Sequence, residues 1–207
     1  MSKESLTELL TGKLYYPVEG MEKCTLRRFS ELMERFGTTD FEKVVTMPEY
    51  EQIISEGMIL GYAEERVYNG VAFGYHWGID VMSEYGKPVY AADEGIIVKV
   101  NSVEDLSDKF NEQTYGNYVI VLREYEKENV FTLYGHLGYL GERYTKGQSV
   151  SRGQLLGVMG MDFTVENGGW PQHLHFQMGL SIEGLNPYGG RELEEITLNP
   201  EKIFGLR

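Results

Sequence analysis

Apolar positions in the first sixty residues recur at helical spacing. In TLRRFSELMERFG they fall at Leu26, Phe29, Leu32, Met33 and Phe36, which share one helical face, with Thr25 as the N-cap and Gly37 as the stop. PEYEQIISEG predicts a second helix with Pro48 at its start and Gly57 at its end. From about Arg66 the period changes to two. IIVKV alternates at Ile96, Val98 and Val100, and NYVIVLREY and NVFTLYGHL are rich in β-branched and aromatic residues. Glycine turns punctuate these runs at Glu94-Gly95, Tyr115-Gly116, Lys146-Gly147 and Arg152-Gly153. Residues 101–115, NSVEDLSDKFNEQTY, read as a polar insertion, either a loop or a short helix from Ser102 to Phe110. The expected organisation is a helical N-terminal extension over residues 1–62, packed on a mainly β unit over residues 63–207.

Composition narrows the functional classes. The chain has 207 residues, 42% of them hydrophobic and 25% charged, which excludes intrinsic disorder as its main state. Its net charge of −13 argues against binding phosphate backbones or anionic membranes. Cys24 is the sole cysteine, so neither an intrachain disulfide nor a cysteine-based zinc cluster can form. Lys3, Glu4, Glu8 and Lys13 interrupt any apolar run near the start, and no stretch approaches the ~18 apolar residues of a membrane span. The expectation is a cytoplasmic protein, with export by an unrecognised route as the alternative and the oligomeric state left open.

The four histidines lie beside other reactive groups. In HWGIDV, His76 and Asp80 fall on one face of a strand, with Trp77, Ile79 and Val81 on the other. In HLHFQM, His173 and His175 share a face, roughly 6–7 Å apart at ~3.3 Å per residue, with Leu174 and Phe176 opposite. His136 lies in LYGHL before a turn. Imidazole and carboxylate donors suit a catalytic zinc site, which takes three protein ligands and keeps one position open. Spacing alone leaves open which three of the five groups would bind the ion.

The order HWGID, PVYAADEGIIVKV, GNYVIVL, LYGHL, KGQSVSRGQLLGVMG and HLHFQ resembles the lysostaphin-type zinc metallopeptidases over about residues 70 to 200. That resemblance implies an antiparallel β-sheet groove, the duplicated hybrid motif related to barrel-sandwich folds. It implies one Zn²⁺ per chain held by His76, Asp80 and His175, with His136 and His173 as the catalytic histidines. It implies endopeptidase-type amide hydrolysis of a peptide or peptidoglycan-like substrate; that neither nucleic acid nor membrane is a partner is expected from the acidic charge and the lack of a long apolar run. A tyrosine often assists in such sites, for which Tyr68 and Tyr75 are candidates, and Trp170 is a candidate for substrate contact at the groove mouth. The chain departs from the resemblance at Gln177, where an acidic residue is usual, and in the segment VENGGWPQ that precedes HLHFQ.

Two other readings compete. A phosphocarrier of the glucose-permease IIA type shares the barrel-sandwich ancestry and needs two imidazoles near one phosphate. A non-catalytic regulator on the same fold would be expected to lack ligands, whereas all five positions are filled here.

Overall fold

The computed structural model describes residues 1–68, 70–102, 115–138, 144–186 and 188–206. The short helix considered for Ser102 to Phe110 falls almost wholly outside them. The chain begins with helix α1 (Lys3–Leu10), capped by the Ser2 side chain, which accepts a hydrogen bond from Ser5 N. Strand β1 (Thr25–Arg27) follows, then helices α2 (Phe29–Phe36), α3 (Phe41–Val45) and α4 (Pro48–Glu56), then β2 (Met58–Leu60). Thr25 therefore does not cap the first amphipathic helix. It lies in β1, which pairs in parallel with β2, Leu26 opposite Ile59, and α2 starts four residues later. Gly37 ends α2 in the left-handed conformation at φ 63°, and Pro48 occupies the first turn of α4.

Strands dominate the rest: β3 (Glu64–Tyr68), β4 (Val71–His76), β5 (Ile79–Met82), β6 (Pro88–Tyr90), β7 (Gly95–Asn101), β8 (Asn117–Tyr125) and β9 (Glu128–Leu137). Then come β10 (Ser149–Val150), β11 (Leu155–Val158), β12 (His173–Gly179), β13 (Tyr188–Gly189) and β14 (Thr197–Leu198), before a last helix, Pro200–Phe204. Among the described residues the large sheet runs β1-β2-β5-β12-β9-β8-β7-β10, with β14 on β12; β13-β4-β3 and β11-β6 form two smaller sheets. The architecture is mainly β with a small helical front. Two strands from that front extend the main sheet beyond β5.

Alternation sorts the side chains of the central strands. Ile79 and Val81 of β5, with Leu174, Phe176 and Met178 of β12, enter one core with Leu6 and Leu10 of α1. Trp77, only 1% exposed, belongs to the same core. The opposite face of the same strands presents Asp80, His173, His175 and Gln177. A second core, built from Phe29, Leu32, Phe41, Val44, Tyr50 and Ile53 of the helical front with Leu60, Tyr68 and Met82, packs beside that polar face. None of the described helices is long and apolar enough to cross a membrane.

Candidate metal centre

The polar face is assembled from register. β12 pairs antiparallel with β5 so that His175 lies opposite Asp80, and β4 delivers His76 at its C-terminal end. His76 Nε2 lies 3.0 Å from His175 Nδ1, and Asp80 Oδ1 is 3.1 Å from each of those nitrogens. Three donor atoms thus form a nearly equilateral triangle on residues that are all buried. Tetrahedral zinc with bonds of about 2.0–2.1 Å needs donors roughly 3.3–3.4 Å apart, so the triangle fits the ion to within a few tenths of an ångström.

Protonation also fits. Burial pushes His76 down to about 4, opposed by Asp80 and reinforced by Arg66, so its ring is neutral at neutral pH and keeps a lone pair. Burial alone would raise Asp80. The neighbouring His76 and His173, with the imidazole nitrogens of His175 and His76 at hydrogen-bonding distance, outweigh it and hold the carboxyl well below its usual range. His175 Nε2–H donates to Gln177 Oε1 at 3.0 Å, which leaves Nδ1 as the ring's free donor to an ion. Gln177 is held in turn: its Nε2 donates to the carbonyls of Gly184 and Asn186. A neutral amide oxygen can accept the imidazole proton as a carboxylate would, which accounts for Gln at this position.

His136 and His173 flank the triangle, with ring centroids 4.2 Å apart. The Nδ1–H of each donates to a backbone carbonyl, of Asn167 at 2.9 Å and of Pro171 at 2.6 Å respectively. That fixes the tautomer, so each Nε2 is an open proton acceptor. His173 Nε2 lies 3.6 Å from Asp80 Oδ1. Burial lowers both groups; repulsion from His173 and His175 takes His136 well down, whereas Asp80 partly offsets the fall of His173. Strand parity would send His136 to the core with Tyr134. Instead a bulge between the pairs Asn117–Leu137 and Val119–Tyr134 shifts the register, and His136 takes a left-handed φ of 62°, which brings it round to the polar face.

The pocket over these groups has aromatic walls. Tyr68, Tyr188 and Trp170 line it, and Phe41 and Leu60 of the helical front close one side. The Tyr68 and Tyr188 hydroxyls are hydrogen-bonded at 3.1 Å, and burial raises both phenols, so they remain neutral O–H groups. Tyr188, on β13, carries no signal in the segment NPYGG that marks it from sequence. Tyr75 is not at the pocket. It neighbours His76 on β4 and so faces the other way, its ring on Trp77 and its hydroxyl accepting from Arg191 Nε. Trp170 packs on Tyr68 and meets Phe73 edge-on, at 5.3 and 6.5 Å between centroids.

Gly78 explains the glycine in HWGID. A Cβ there would stand 2.6 Å from His175 Cε1 and 2.9 Å from the Phe176 carbonyl oxygen. Gly78→Ala is expected to displace the His175 ring, lower stability by about 1–3 kcal/mol and weaken metal binding. Thermal melts with and without chelator check it, and an unchanged zinc affinity would show that the ring has room to yield.

The family "Peptidase family M23" matches residues 74–187. The peptidoglycan DD-endopeptidase ShyA of Vibrio cholerae is 32% identical over 104 residues, half of this chain and 20% of that protein. The catalytic domain of lysostaphin, an antimicrobial peptidase from Staphylococcus simulans, is 24% identical with a TM-score of 0.47, over 72% of this chain and 92% of that one. A zinc-containing peptidase from Vibrio cholerae is 25% identical with a TM-score of 0.41, over 57% of this chain and 31% of that one. This chain spans only a fifth of the length of the curated relative.

Proposed function

Since the chain belongs to peptidase family M23, we propose that it is a zinc-dependent metallopeptidase that hydrolyses amide bonds in a peptide or peptidoglycan-like substrate. The observation that carries this reading is the buried triangle of His76, Asp80 and His175 beside two further histidines whose Nε2 atoms have no hydrogen-bond partner among the described residues. The name of the curated relative supports peptidoglycan as the substrate class, and that class favours the exported alternative over cytoplasmic residence.

In this reading His76 Nε2, Asp80 Oδ1 and His175 Nδ1 hold the ion. When bound, zinc supplies Lewis acidity to a water molecule and to the scissile carbonyl. The Nε2 of His136 or His173 takes the proton of the attacking water, and the imidazolium so formed is a donor for the developing oxyanion. The same proton then passes to the leaving amine. The neutral hydroxyls of Tyr68 and Tyr188 add O–H donors at the edge of the site, Tyr188 with its ring 5.7 Å from His76. The wall formed by Phe41, Leu60 and Trp170 excludes water from that side of the pocket.

Elemental mass spectrometry of the purified chain is expected to find about one zinc per chain, with amide cleavage in a screen of peptides and muropeptides that chelator abolishes and zinc restores. No metal after zinc is supplied, together with a phosphohistidine formed from a phosphodonor, would instead establish the phosphocarrier.

A further inference from the structure

Arg66 is 0% exposed, and its guanidinium lies next to the metal triad, outside the stretch that matches the family. Burying a guanidinium is costly unless charge and hydrogen bonds compensate it. Its Nη2 lies 3.3 Å from Asp80 Oδ2, the carboxylate oxygen that is not part of the donor triangle. The same nitrogen is 3.4 Å from the Gly61 carbonyl and 3.2 Å from His76 Nδ1. With a lone pair on Nε2, His76 carries its proton on Nδ1, and Arg66 and His76 then share Gly61 O as their acceptor, 3.5 Å from Nδ1. The guanidinium sits over the Phe29 ring at 4.7 Å, and Glu64 approaches its Nε at 3.9 Å. Glu64 is itself held by the N-terminus of α2, accepting from Phe29 N at 2.7 Å and Ser30 N at 2.9 Å. Among the described residues Nε and Nη1 have no hydrogen-bond partner, so the side chain is held through Nη2, with the Tyr68 hydroxyl also beside the guanidinium.

We propose that Arg66 is a positioning residue for the metal ion: it clamps Asp80 Oδ2 so that the carboxylate presents Oδ1 alone to the ion. An unclamped carboxylate can turn and offer both oxygens, which fills the coordination position that catalysis needs open. Arginine suits the task because its planar fork fixes direction as well as charge, and it does not lose its proton. Glu64 on the far side offsets the positive charge that would otherwise repel the ion. The clamp is therefore anchored through Glu64 and Phe29 to the helical front, which reaches the metal centre by this route.

The inference rests on the metal-binding reading and is independent of which bond is cleaved. The test titrates zinc against a chromophoric chelator and records the visible spectrum of the cobalt(II)-loaded protein for wild type, Arg66→Met and Arg66→Lys. Arg66→Met fills the same space without charge or donors. It is expected to weaken zinc binding by about 10–100-fold and to lower the cobalt absorptivity, as a four-coordinate ion becomes five-coordinate. Arg66→Lys, a point charge without the fork, is expected to fall between the two. If Arg66→Met keeps the wild-type affinity and cobalt spectrum and loses only melting temperature, the side chain merely packs and the proposal fails. Tighter zinc binding by Arg66→Met overturns it too, since the cation would then be a net repulsion. Should Arg66→Met not fold, Arg66→Lys decides: a weakened site with an altered cobalt spectrum supports the clamp, and an unchanged one overturns it. A wild-type chain that takes up neither ion overturns the metal reading itself, a result recognisable before any variant is made.

Discussion

His175→Ala is expected to remain folded and to purify without zinc. The substitution deletes one of three donors from a triangle whose sides are 3.0–3.1 Å. It also deprives Gln177 of its imidazole partner. Two remaining donors are a poor zinc site, so the loss should exceed the ~10–100-fold typical of removing a supporting partner. The fold is expected to survive, because Leu174 and Phe176 on the opposite face still hold β12 in the main core. Elemental analysis with a thermal melt checks both halves. Stoichiometric zinc retained in this variant would remove His175 from the ligand set.

The second large effect separates binding from turnover. His173→Ala is expected to keep the ion and to lose hydrolysis by about 10²–10⁴-fold, the usual scale for a general acid or base. His173 Nε2 stands 3.6 Å from Asp80 Oδ1 and outside the triangle. His136→Ala should behave alike, and the double variant should cost little more than either single one if the two imidazoles handle one proton as a unit. Metal content measured beside single-turnover cleavage distinguishes the cases. Loss of metal from His173→Ala would show that it, too, is a ligand.

Parity made much of this site legible in the chain. His173 and His175 follow from alternation in HLHFQ, and Leu174 and Phe176 beside them enter the core as that rule requires. HWGID is not the single strand expected: His76 ends β4 and Asp80 lies on β5, in different sheets, and the two meet because the chain passes from one sheet to the other at Trp77 and Gly78. The same rule, applied to Tyr75 as the neighbour of His76, places it on the wrong face. Three features stayed hidden because they depend on partners distant in sequence. The parallel pairing of β1 with β2 joins residues about thirty positions apart and turns the expected start of a helix into a strand. The bulge that carries His136 onto the polar face is a property of the β8–β9 ladder, and LYGHL alone does not announce it. Arg66 looks in ERVYNG like a solvated strand residue. Its burial arises only when Phe29, Glu64 and Asp80 converge on it.

The two tryptophans differ in environment. Trp77 is sealed in the main core, whereas Trp170 is partly exposed at the pocket, against Tyr68 and Phe73. With only these two indoles in the chain, intrinsic fluorescence becomes a built-in optical gauge. Emission from Trp77 supplies a constant blue-shifted background. Any change in intensity or wavelength on adding a peptide reports Trp170, so occupancy of the groove can be followed in real time without a label, even in a variant that no longer turns over.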